Sequence, residues 1–160
     1  MFKHRVFEEL LEAMASDAMS PGSGAAAASA LALGIACLRK AVAISAKHDP
    51  DNEELQEAAT RLCGLSDRAM AAADADVIGF PRLASGQRSK EERAESADDL
   101  AALGERVTQL CAQLDEEAKL IAPHIRPAMA NDLLAARHLG KAAAAIAKAN
   151  GEENATKAAN

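Results

Sequence analysis

Apolar residues return at helical intervals along almost the whole chain. Val6, Leu10, Leu11 and Met14 mark one side of a first amphipathic helix over about residues 2–15. The segment SDAMSPGSG interrupts that pattern, and GAAAASALALGIACLRKAVAISAK then predicts a second helix over about residues 24–47. Its first four turns carry no charge on any face, which places it inside a bundle, surrounded by protein. HDPDN is a turn, and a long third helix follows from about residue 52 into the low 80s, with Leu55, Ala58, Ala59, Leu62, Leu65 and Ala69 as its inner face. Pro81 is expected to end or kink it. After the loop ASGQR, Ser89 and Glu92 have the spacing of a capping box and open a fourth helix over about residues 89–120, with Leu100, Leu103, Val107, Leu110 and Leu114 as its seam. APHIRPAMAND is broken by two prolines; a fifth helix begins near Asn131–Asp132 and runs to about Asn150, followed by a short segment that frays after Gly151.

No stretch shows the alternation of a β-strand, and no repeat of fixed period or linker divides the chain. The expected architecture is all-α: one domain over residues 1–160, a bundle of about five to six helices, several of them long, around an Ala-rich central helix.

Composition narrows this further. Hydrophobic residues make up 49% of the chain, mostly Ala, and aromatics only 2%. Small side chains let helix axes approach toward the low end of the roughly 8–10 Å range. A net charge of −6 and the lack of a basic cluster or exposed stacking aromatics argue against nucleic acid as a partner. The uncharged run from about residue 18 to 38 contains Ser, Pro, Gly and many Ala, so it is read as too weakly apolar for a membrane span. The charged N-terminus does not read as a secretory signal, and Cys37, Cys63 and Cys111, with no C-x-x-C, fit reduced core thiols in a cytoplasmic protein. His48, His124 and His138 form no ligand pattern, and no catalytic metal is expected.

SPGSG ahead of the Ala run has two readings. It is a turn with Ser20 or Ser23 as cap, or it is a bare helix start where Gly22 and Gly24 let a ligand touch the backbone N–H groups. Residues 15–47 resemble the N-terminal motif of the cyclodeaminase/cyclohydrolase family, in which a Pro-Gly-Gly-Gly-Ser-Ala-Ala-Ala stretch opens a small-residue helix. DVIGF, ending in Phe80, resembles that family's Asp-x-x-Ala-Phe, and NDLLAARHLGKAAAAIAKANGEEN resembles its Ser-Asp-Leu-x-x-Ala-Ala helix. Ser23 stands where the family has its middle Gly, Asn131 where it has Ser, and the chain is short for the family.

The resemblance implies an all-α dimer acting on a one-carbon tetrahydrofolate, with no cofactor beyond that substrate. It makes Asp76 the first candidate for a catalytic carboxylate and Asp132 the second, with Pro21, Gly22, Ser23, Gly24, Phe80, Asn131, Asn150 and Asn154 as substrate-binding candidates. Residue by residue, Asp76 also reads as a solvated helix Asp, Asp132 as a dipole-stabilising Asp in a first turn, and Asn150 as a helix stop. The favoured reaction is hydrolysis of 5,10-methenyltetrahydrofolate to 10-formyltetrahydrofolate, since the sequence carries no fused formiminotransferase domain. The alternatives are formiminotetrahydrofolate cyclodeamination with release of ammonia, and a non-catalytic folate-binding or structural helical homodimer.

Overall fold

A helix whose first four turns carry no charge packs into a bundle, and the helices that pack on it set the architecture. The computed structural model describes residues 6–84 and 89–158. It comprises α1 (Val6–Ala15), α2 (Ser23–Ala46), α3 (Glu53–Ala84), α4 (Lys90–Ile121) and α5 (Ala130–Ala158), with two 3₁₀ turns, Ala122–His124 and Pro127–Met129, between α4 and α5. No strand occurs among the described residues. The chain is thus a single all-α domain of long helices, as the periodicity predicts.

α2 lies at the centre, with α3 and α5 packed along it and α4 behind. Leu31, Ile35, Leu38 and Val42 point inward and are fully buried. By length and composition α2 is long and apolar enough to cross a membrane, with a mean hydropathy of 1.7, more than the sequence reading allowed because apolar residues resume after Arg39 and Lys40. Of that stretch 44% is buried, against α3, α5 and α4, and Leu33 on its outward side stays exposed, so α2 is not surrounded by protein on every face as the charge-free start predicts.

Small residues set the helix spacing. A Cβ on Gly34 would stand 3.1 Å from the Ala136 carbonyl oxygen, where α2 meets α5. A Cβ on Gly104 would stand 2.9 Å from the Ala147 carbonyl and 3.0 Å from Gly151 Cα, where α4 crosses α5. This second crossing carries α5 straight through Gly151 to Ala158, eight residues beyond the expected stop at Asn150. Gly151 supplies a close contact there, and packing overrides its poor helix propensity.

α3 also departs from expectation. Leu55, Ala58, Leu62, Leu65 and Ala69 are buried, but Ala59 is exposed, one residue's rotation off the inner face. Pro81 does not end the helix, which continues to Ala84. Pro81 has no N–H for the Val77 carbonyl four residues back; the Ser20 hydroxyl donates to that carbonyl instead, at 3.2 Å. α4 starts as predicted, with Ser89 Oγ accepting from the Glu92 N–H at 3.2 Å and Glu92 accepting from the Ser89 N–H at 2.8 Å. At the far end, the buried Ser45 hydroxyl accepts from the Arg126 N–H at 3.0 Å and pins the 3₁₀ segment to α2.

α1 begins at Val6, the five residues before it lying outside the described ones, as does most of the ASGQR loop. It makes no extensive contact with the other helices, and Leu11 on its expected apolar side is exposed. The cysteines are not uniformly core thiols: Cys111 is buried, and burial pushes its thiol up to about 11, but Cys37 is half-buried and Cys63 lies on the surface.

The two kinds of glycine should respond oppositely to a methyl group. Gly104→Ala should destabilise by about 1–3 kcal/mol through overpacking. Gly64→Ala, on α3 with nothing within 4 Å of its added Cβ, should stabilise by about 0.5–1 kcal/mol. Urea denaturation of the two variants checks both signs.

Candidate active site

The first turn of α2 has no acidic residue, and its N-cap, Gly22, offers no side-chain acceptor. Neither Ser20 nor Ser23 caps it: Ser20 is bonded to α3, and Ser23 is the first helical residue. The anion comes from α3 instead. Asp76 Oδ2 accepts from the Ala25 N–H at 2.9 Å, so a carboxylate of one helix caps the start of another. This closeness requires Gly24, because a Cβ there would overlap the Asp76 carboxylate. Asp74, two residues earlier on α3, is exposed.

α5 completes the enclosure. The Ser23 hydroxyl donates to Asn150 Oδ1 at 3.1 Å, tying the family's glycine position to α5. Asn154, one turn further, is buried. Between these elements lies a cavity of about 230 Å³, lined by Gly22, Ser23, Gly24, Asp76, Phe80, Asn150 and Asn154, together with Met19, Glu153 and Lys157. The Lys157 ammonium pairs with Glu153 at 2.6 Å on its rim.

Seven sequence-selected residues therefore share one cavity, and three do not. Pro21 is half-buried just outside it. Asn131 and Asp132 sit at the opposite end of α5, Asn131 exposed and Asp132 facing Lys40 at 3.6 Å. Lys40 lies sixteen residues along α2 from Gly24, about 24 Å at 1.5 Å per residue. Within one chain Asp132 does not reach the cavity around Asp76.

Glu153 and Lys157 escaped the sequence reading because α5 was expected to stop before them. Carried through Gly151, the spacing of Asn150, Glu153, Asn154 and Lys157 puts all four on one helix face. Met19 carries no comparable signal.

Asp76 is half-buried, and loss of hydration raises its carboxyl above the usual carboxylate range, opposed by the bond from the Ala25 N–H. A larger groove of about 570 Å³ runs between α3 and α4, where Arg61 pairs with Glu117 at 2.8 Å and Arg68 donates to Gln113 at 2.9 Å. Among the described residues, no cluster of three or more His, Cys, Asp or Glu side chains is placed to hold a metal ion.

The formiminotransferase-cyclodeaminase family model matches residues 6–160. The chain belongs to the formiminotransferase-cyclodeaminase family. No curated protein matches it. The family relation supports folate-related enzyme chemistry in general, and it gives the geometry a frame. The stretches that carry the likeness lie on α2, α3 and α5, and they meet at the cavity except where α5 begins.

The raised Asp76 carboxyl has a thermodynamic consequence. The folded state holds this proton more tightly than the unfolded chain, so its favourable contribution is present below the unfolded value of 3.8 and is lost as pH rises through the folded one. The stability of Asp76→Asn relative to wild type should therefore grow with pH across the carboxylate range and then level off. Urea denaturation at a series of pH values reads that difference.

Proposed function

We propose that this protein is a one-carbon tetrahydrofolate enzyme that hydrolyses 5,10-methenyltetrahydrofolate to 10-formyltetrahydrofolate, with Asp76 as its proton-transfer group. The observation that carries this reading is the half-buried Asp76 carboxylate held over a bare helix start, inside a cavity with two amide side chains. The substrate carbon lies in a cationic amidinium bridge between two nitrogens. Water adds to that carbon while Asp76 takes one of its protons; the adduct's hydroxyl then releases its remaining proton to solvent as the C–N bond breaks and the carbonyl forms, and Asp76 returns the first proton to the departing ring nitrogen. Ser23 and Gly24 open α2, so their N–H groups lack intrahelical acceptors and can stabilise oxygen charge on the adduct. Asn150 and Asn154 offer donors and acceptors to the ring edge, with Phe80 against its face. Substrate, water and protein groups suffice for these steps.

The family's own description favours one alternative, cyclodeamination of formiminotetrahydrofolate. It passes through a similar nitrogen-rich tetrahedral carbon and asks the same carboxylate to protonate departing ammonia. A folate-binding protein without turnover is the third reading.

We further propose a cytoplasmic homodimer joined through α2. Leu33 on the outward side of α2 is 47% exposed, and all the helix's charges, Arg39 and Lys40, are cationic and lie in its C-terminal half. Its N-terminal end is held by the acidic Asp76. Antiparallel pairing of two copies about Ala32–Leu33 matches these charges. It sets Lys40 and Asp132 of the partner subunit beside Gly24 and Asp76, giving Asp132 a place at the site.

Wild-type protein should accelerate loss of the methenyl chromophore, and Asp76→Asn should reduce that rate by at least about 10²-fold. A wild-type rate equal to buffer overturns the hydrolase; ammonia release from formiminotetrahydrofolate transfers the assignment to the alternative, and calorimetric binding without turnover to the third reading. Sedimentation at micromolar concentration should show a dimer. Mixing and reassembling inactive Asp76→Asn and Asp132→Ala subunits should restore roughly one quarter of wild-type activity, because half of the dimers then hold one intact site. No recovery from two folded, dimeric variants removes Asp132 from the shared site.

A further inference from the structure

Ser23 lines the cavity where the family's motif has its middle Gly, and its hydroxyl proton does not go where such protons go elsewhere in the chain. Thr60, Ser96, Thr108 and Thr156, all inside helices, each donate to the carbonyl four residues before them. Ser23 is the first residue of α2, so no carbonyl of that helix lies four residues back. Its proton crosses instead to Asn150 Oδ1 on α5, at 3.1 Å. That bond decides which way the Asn150 amide faces. A primary amide carries an acceptor oxygen and a donor NH2 at the end of one soft torsion, and turning it over exchanges them. One residue further on, the close crossing of Gly104 and Gly151 holds the backbone of α5, so the freedom left at Asn150 is in its side chain. With Oδ1 turned to Ser23, the Nδ2 hydrogens are the part of Asn150 left for a ligand. Asn154 behaves differently. It is 9% exposed, lines the same cavity, and its side chain makes no hydrogen bond among the described residues. A buried amide without a partner is costly unless a ligand supplies one, and this one is free to turn to the edge presented.

We infer that Ser23 is a specificity-determining residue of this site: it fixes Asn150 as a hydrogen-bond donor, so that the cavity selects a ring edge with an acceptor at that point over one with a donor. This rests on the folate reading under Proposed function, and in that reading the selected group is the single carbonyl oxygen of the pterin ring, at position 4. A Gly at position 23 leaves Asn150 free to turn and to accept as readily as it donates. In the free protein the Ser23–Asn150 bond is open to solvent and weak. A bound ring covers it and excludes the water that competes for both groups. A mismatched edge then sets donor against donor with no water between them, and the site loses affinity.

The test compares calorimetric Kd values for tetrahydrofolate with those for its 4-amino-4-deoxy analogue, in which an NH2 donor replaces that carbonyl. Wild-type protein should bind the carbonyl compound at least about ten-fold more tightly. In Ser23→Ala and Ser23→Gly the ratio of the two Kd values should shrink to about two or less, and Ser23→Thr, which keeps the hydroxyl, should retain the wild-type ratio. Asn150→Ala should also lose the preference, and adding Ser23→Ala to it should leave the ratio where it is. Equal wild-type affinity for the two compounds overturns the fixed donor. A ratio that survives in Ser23→Ala, including one in which both affinities fall together, overturns the role of Ser23, as does a ratio lost in Ser23→Thr. Failure of both compounds to bind overturns the folate reading and this inference with it.

Discussion

The bond between the Asp76 carboxylate and the Ala25 N–H organises this molecule. α2 begins with no side-chain cap and no acid in its first turn, so the positive end of its dipole needs a partner from elsewhere. α3 supplies one, and three conditions have to hold for it to do so. Gly24 must lack a Cβ, Asp76 must face α2 from α3, and the two helices must pack closely enough for a bond of 2.9 Å. The Ala-rich composition of α2 meets the last condition. The same bond fixes the candidate site, because it sets the only half-buried carboxylate of α3's second half against backbone donors and beside the amides of α5.

Much of the fold was readable because it rests on periodicity. The charge-free start of α2, the leucine seam of α4 and the capping box at Ser89 are each local signals, and each sits where it was expected. What could not be read depends on distant partners. Gly151 looks like a helix stop until Gly104 is known to pack against it. Pro81 looks like a helix end until Ser20 is seen to occupy the acceptor that proline leaves free. Both errors share a cause: a local propensity of a kcal/mol or so gives way when tertiary contacts supply the missing interaction.

The site was legible to a different extent. The glycines before α2, with Asp76 and Phe80, stood out as features a plain bundle helix does not need, and they do meet. Asn150 and Asn154 joined them through the resemblance, and the extended α5 places both on the cavity. Asp132 shows the limit of motif reasoning, since order along a chain says nothing about which end of a helix a motif occupies. Its ion pair with Lys40 belongs to the far end of α2. Glu153 and Lys157 were hidden for the opposite reason, being ordinary surface residues whose significance appears only once α5 is long enough to carry them to the rim.

The Ser20–Val77 bond couples two segments that are usually independent. In most helices the last turns are held by their own backbone, and the loops around them order or fray without consequence for the axis. Here one backbone acceptor in α3 is satisfied by a side chain from the segment leading into α2. The loop before α2 and the final turns of α3 are therefore tied at one point, one turn before Phe80. The wall of the cavity at Phe80 and the approach to its floor at Gly22 are thereby joined through one hydrogen bond.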